Sequence, residues 1–218
     1  MVQRITKLKT YCFIDASNLF YGGVKELGWK VDYKKLIKHL KEKYNTTKVL
    51  YYGGIDTCGF SYATLPTKDF PIEPLISYLS KQKDEESVLA LKRARFYSKL
   101  KEFGYELKLK PLKFIREISG SIKKKANCDV DLTFDAMRLK DEFNSFVLLS
   151  GDGDFIKLLL YFREQGKQVH IIANQERTAY EIKKTFWKVN SFQNVFLISY
   201  AVLSWLAIIC TCFPCSLK

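Results

Sequence analysis

The sequence predicts an α/β domain with a mostly parallel central sheet and helices on both faces, a three-layer arrangement. Two observations predict it. Strand-like and helix-like segments alternate from one end of the chain to the other. The strand-like segments are short apolar runs, as expected for strands covered on both sides. At 218 residues with 47% apolar residues, the chain is long enough for one domain with a real core, and nothing in its composition argues for disorder.

The elements follow in order. "TYCFI" reads as a buried strand that breaks at the polar "DASN". "VDYKKLIKHLKEKY" places Val31, Leu36, Ile37 and Leu40 at helical spacing. "TKVLYYGGID" is a second strand, ended by its glycine pair. The stretch from Thr57 to Glu86, with Pro66, Pro71 and Pro74, is expected to be a loop with a short helix. "EESVLALKRARFYSKLKEFG" is a helix stopped by Gly104, and "YELKLKPLKFI" is a strand. "REISGSIKKKAN" is a basic connection, a loop or a hairpin. Then come the helix "DVDLTFDAMRLKDEF", the central strand "SFVLLSG", a helix stopped by Gly166, the strand "KQVHIIAN" and the helix "TAYEIKKTFWKV".

Charge points to the partner. Lys and Arg number 36 against 23 Asp and Glu, a net charge of +13. Such an excess suits a polyanion, nucleic acid first and an anionic membrane surface second. The six cysteines form no paired C-x-x-C motif, and the two histidines are isolated, which argues against zinc. The first residues contain no apolar signal-peptide core, and the expectation is a reducing, cytoplasmic setting.

Against this basic background, acids collect at strand ends. Asp15 follows "CFI", Asp152 and Asp154 follow "FVLLSG", and Asp129 opens a helix after the basic connection. In sheets of this class, ligands gather beyond the carboxyl ends of the strands. Crowded carboxylates raise one another's pKa unless a cation neutralises them, and a hard divalent ion does so through oxygen ligands. Capping explains any one of these acids taken alone. It does not account for the Asp15-x-x-Asn18 pattern together with the other two segments. Asn18 is a candidate for orienting a water or phosphate, and Ser150 for a supporting hydrogen bond.

These residues resemble the NYN family, the LabA-like branch of the PIN-like nucleases. The resemblance rests on "FIDASNLF", "NCDVDLTFDAM", "LLSGDGDFIKLL" and "GKQVHIIA", in order, across about Lys9 to Val195. It implies a PIN-like fold and Mg²⁺- or Mn²⁺-dependent cleavage of RNA. Asp15, Asp129, Asp152 and Asp154 are the matching metal positions, Asn18 matches the family's asparagine, and Asp135 becomes a supporting acid behind them. One departure is Ala126-Asn127, where many members carry Lys-Gly. A non-catalytic RNA-binding module on the same fold is the alternative. An aspartyl-phosphate phosphatase is disfavoured by D-x-x-N in place of D-x-D, and a dinucleotide-binding protein by the absence of glycine in "IDASN".

For RNA, expected to be single-stranded, the basic segment holding Arg116, Lys123, Lys124 and Lys125 is the candidate phosphate clamp. Tyr21, Tyr51, Tyr52 and Phe60 are candidates for stacking on bases. The domain is expected to span residues 1–198, and the chain after it is apolar. Residues 195–213 carry no charge. Three readings stay open for them: a membrane anchor, a packed extension that includes a last strand, or a sequence under no selection. Left unpacked, such a surface would promote self-association.

Overall fold

The computed structural model describes residues 9–21, 31–61, 69–116, 122–173 and 178–189. The apolar tail and the last predicted strand lie outside them. Among the described residues, no helix is long and apolar enough to cross a membrane.

The central strand is β1 (Thr10–Asp15), buried at every position. It is parallel both to β2 (Thr46–Ile55) and to β6 (Ser145–Leu149). With β3 (Glu106–Pro111) and β7 (Gln168–Ile171), the sheet order is β3-β2-β1-β6-β7, parallel throughout. A strand's side chains alternate between faces. Cys12 and Ile14 therefore enter one core, and Tyr11 and Phe13 the other.

The first core is covered by α2 (Tyr33–Tyr44), α3 (Ile72–Leu79) and α4 (Glu85–Phe103). The second is covered by α5 (Asp129–Arg138), α6 (Ile156–Glu164) and α7 (Tyr180–Val189). This division follows from topology. The chain steps outward from β1 through β2 to β3, then returns to the other side of β1 for β6 and β7. Parallel crossovers keep one hand, so reversing the direction of travel moves the helices to the opposite face. The reversal leaves a switch point between the carboxyl ends of β1 and β6, where α/β sheets bind ligands.

Local chemistry sets the ends of these helices. Asp32 and Asp84 cap α2 and α4 by accepting from the N–H groups of Lys35 and Ser87. Gly104 ends α4 in the left-handed region, at φ 97°.

Two expectations are corrected. The glycine pair does not end β2, which runs through it to Ile55. Its glycines serve close approach: a Cβ on Gly54 would stand 2.6 Å from Leu112 Cδ2 and 3.0 Å from Ala126 Cβ. "YELKLKPLKFI" is also not one strand. It divides at Leu112 into β3 and β4 (Lys113–Arg116), and β4 pairs antiparallel with β5 (Ile122–Lys125). Pro111 has no N–H to donate, which suits the end of an edge strand. The basic connection is therefore a hairpin, with residues 117–121 outside the described set. The stretch from Thr57 to Glu86 holds the expected short helix, α3, and the start of α4, with residues 62–68 outside the described set.

Candidate metal centre

Asp15 is the last residue of β1 and is buried. Its side chain caps α1 (Ala16–Leu19): Oδ1 accepts from the N–H groups of Ser17 at 2.9 Å and Asn18 at 3.2 Å. Capping therefore explains part of the D-x-x-N pattern after all. Oδ2 accepts from Ser150 Oγ, at 3.1 Å. Burial outweighs these bonds and raises the Asp15 pKa, and the nearby charge of Asp152 adds to the rise.

Ser150, almost fully buried just past β6, also accepts from the Asp152 N–H at 3.2 Å. Asn18 Oδ1 accepts from the Gly151 N–H at 3.0 Å, so it binds protein backbone here. Gly151 O in turn accepts from Ala179 N–H at 2.9 Å, just before α7. A Cβ on Gly151 would stand 3.0 Å from the Thr178 Cα, so the segment before α7 sits directly on this loop. Three elements thus meet on one short loop, and each hydrogen bond stiffens the position of Asp152.

Asp152 itself caps the short 3₁₀ turn Gly153–Phe155, accepting from the Asp154 N–H at 3.1 Å. Asp129 is the first residue of α5. Its N–H donates to Asn127 Oδ1 at 2.9 Å, a short side-chain turn that supplies the bend into the helix. Among the described residues only Asn45 and Cys58 are non-glycine with positive φ, so Asn127 is unstrained.

The result is a carboxylate cluster. One carboxylate oxygen each from Asp129, Asp152 and Asp154 lie within 4.8 Å of one another. The Asp129 pKa is pushed up to about 6, first by burial and then by the charges of Asp15, Asp152 and Asp154, with Lys125 opposing. Asp15 thus acts on the cluster electrostatically, while its own oxygens already accept protein hydrogen bonds.

The NYN domain family model matches residues 9–189. The chain belongs to the NYN domain family. A curated relative of this NYN domain is the low amplitude and bright protein LabA of Synechococcus elongatus, 21% identical over 175 residues, covering 78% of this chain and 76% of that protein. A solved protein of unknown function from Vibrio parahaemolyticus has 20% identity and a TM-score of 0.55, over 84% of this chain and 91% of that one. It shares the fold. The 5′-exonuclease of bacteriophage T5, solved with bound zinc ions, reaches only a TM-score of 0.45 at 14% identity, over 81% of this chain and 60% of that one. A likeness of that degree carries no argument.

Other expected residues of this NYN domain sit elsewhere. Asp135 does not back the cluster: its carboxylate accepts from Tyr52 Oη at 3.1 Å and from Arg138 Nη2 at 2.9 Å. It lies six residues after Asp129, and at 3.6 residues per turn the two face different ways. Asp131 pairs with Lys110.

Lys124 is already engaged: Nζ donates to Asp56 Oδ2 at 2.8 Å and to Glu86 Oε1 at 3.3 Å. These bonds fix the hairpin to the residue just past β2 and to α4, and neutralise the charge expected for phosphate. Among the described residues, exposed Lys125 lies within electrostatic range of Asp129. In the hairpin backbone Arg116 pairs with Ile122 and Lys123 with Ile115, and the side chains of Arg116 and Lys123 lie outside the described set.

Tyr51 and Tyr52 are core residues, 3% and 1% exposed, and are closed to base stacking. Phe60 packs on Tyr78, and Tyr21 is exposed. Sequence reasoning missed the anchoring of Gly151 by the segment before α7, whose partner is remote in sequence. It also missed the role of Asn127, for which an asparagine two residues ahead of an acid was the available signal.

Proposed function

We propose that this NYN domain is a ribonuclease that hydrolyses RNA phosphodiester bonds with Mg²⁺ or Mn²⁺. The observation that carries the reading is the convergence of three carboxylate oxygens within 4.8 Å, delivered from two separate segments to the switch point of the sheet. The donor set fits a hard divalent ion, being all oxygen. The adjacent Cys128 is buried in the second core.

Asp129, Asp152 and Asp154 would hold the ion, with Asp15 as the buried fourth charge behind them. A bound divalent ion supplies positive charge for the phosphoryl oxygens and lowers the pKa of a coordinated water. The chain's own residues do the positioning. Ser150 ties the Asp15 carboxylate to the Asp152 backbone, and Asn18 holds the peptide ahead of Asp152. Lys125 places a cation beside Asp129, suited to a backbone phosphate. RNA as the substrate follows from the family resemblance, and the net charge of +13 supports a polyanion.

The test is cleavage of a labelled single-stranded RNA with Mn²⁺. Asp152→Asn is expected to lower the rate on the order of a thousandfold, a loss of several kcal/mol of transition-state stabilisation. Equal cleavage by the variant and the unmodified chain would refute the site. RNA binding without cleavage by the unmodified chain would establish the non-catalytic module instead.

A further inference from the structure

The negative charges of Asp15, Asp152 and Asp154 act on the Asp129 carboxylate, with Lys125 opposing. Like charges at close range drive a side chain and its backbone apart unless something holds them. An ordinary helix cap does not supply that hold. The residue at the cap position of α5 is Cys128, which makes no side-chain hydrogen bond to the helix and is buried in the second core. Between buried Cys128 and Leu132 the first turn is Asp129, Val130 and Asp131. Val130 is 70% exposed, so burial of the turn's own side chains does little to fix it.

Two bonds from outside the helix do fix it. Asn127 Oδ1 accepts from the Asp129 N–H at 2.9 Å. Ala126, just before it, packs on β2, where a Cβ on Gly54 would stand 3.0 Å from the Ala126 Cβ. The acceptor is therefore carried by a segment seated on the sheet. From the other flank, Asp131 Oδ2 accepts from Lys110 Nζ at 2.6 Å, and Lys110 lies in β3. At 3.6 residues per turn, Asp131 stands about 200° around the helix from Asp129. The Asn127 bond sets where the first turn of α5 begins. The Lys110 bond resists rotation of that turn away from the other acids.

We propose that Asn127 and the Lys110–Asp131 pair are positioning residues of the metal centre. They hold Asp129 beside Asp152 and Asp154 against the repulsion of like charge, and so set the affinity for the ion through Asp129. The proposal rests on the reading of these acids as a metal centre. Groups that orient a metal ligand from behind are typically worth about ten- to a hundredfold in affinity.

The experiment titrates MnCl₂ into the full chain by calorimetry and follows thermal unfolding of the same proteins in EDTA. Asn127→Ala leaves the charge unchanged and is expected to bind Mn²⁺ about ten- to a hundredfold more weakly. Because the position is exposed, the variant is expected to unfold in EDTA close to the temperature of the unmodified chain. Asn127→Ser, whose hydroxyl makes the same turn more weakly, is expected to recover part of the affinity. Lys110→Met separates positioning from charge. Removal of a cation would by charge alone tighten Mn²⁺ binding, whereas loss of the tether weakens it, and weaker binding is the expected result. Lys110→Met also decides the matter if Asn127→Ala costs the fold. Equal Mn²⁺ affinity for Asn127→Ala and the unmodified chain, or tighter binding by Lys110→Met, would overturn the positioning role and leave the metal centre standing. An unmodified chain that takes up no Mn²⁺ would refute the metal centre itself, and the positioning role with it.

Discussion

Asp129→Asn is expected to make the metal-free protein more stable at pH 7 and to abolish its response to Mg²⁺ or Mn²⁺. In the unmodified chain the fold raises the Asp129 pKa to about 6, against about 3.9 for a free carboxyl. The ionised form is thus the disfavoured one in the folded state. Its penalty is fully present above pH 6, shrinks as the pH falls, and is gone below about pH 4. Water screens a half-exposed carboxylate, so the penalty is about 1 kcal/mol, or about 2–4 °C in Tm for a chain of this size. Without metal, the contribution of this residue therefore makes the unmodified chain gain stability from pH 7 to pH 5. The amide has no proton to gain, so the variant loses that part of the slope.

Metal reverses the order. An ion at a hundred times its Kd stabilises the unmodified chain by about 2.7 kcal/mol and outweighs the repulsion. The variant, with one donor replaced and one charge gone, is expected to show no metal-dependent shift and to cleave RNA on the order of a thousandfold more slowly. Thermal unfolding at pH 5 and pH 7, with EDTA and with Mn²⁺, separates these effects. A variant that is less stable than the unmodified chain in EDTA at pH 7 would show that Asp129 is held by favourable contacts, not crowded by like charge.

Phe13→Ala is expected to cost about 3–5 kcal/mol, a large part of the 5–15 kcal/mol that holds a typical domain folded. Phe13 is fully buried, and its ring lies 4.9 Å from Phe146 and 6.1 Å from Phe143, centroid to centroid. It occupies the central strand, two residues before Asp15 and on the same face, so the cavity would open beneath the acid site. Urea unfolding measures the loss. Phe134→Ala, at a position 65% exposed, provides the control and should change stability by no more than about 0.5 kcal/mol. A similar small cost at Phe13 would mean that this core layer collapses to fill the space.

The parallel sheet was legible because its signals are local. "CFI" and "FVLL" are uninterrupted apolar runs, the helices between them carry Asp caps and a glycine stop, and β1 and β6 are buried throughout. The acids at strand ends were legible for the same reason, since a change from apolar run to aspartate is written within six residues. The D-x-x-N and S-G-D-x-D patterns, short and colinear, were enough to point to the family.

What tertiary structure alone decided is which of those charged groups act together. Lys124 belongs to a basic run in the sequence, but Asp56 and Glu86, 68 and 38 residues away, claim its ammonium group. Tyr52 looks like a strand-end aromatic, and the packing of α5 buries it against Asp135. Asp15 reads as a lone acid at a strand end, and Ser150, just past β6 and 135 residues away, donates to one of its oxygens. A residue's type and its local period are carried by the chain itself. Its electrostatic neighbours are chosen when distant segments pack, because charge interactions fall with distance through space and take no account of separation along the sequence.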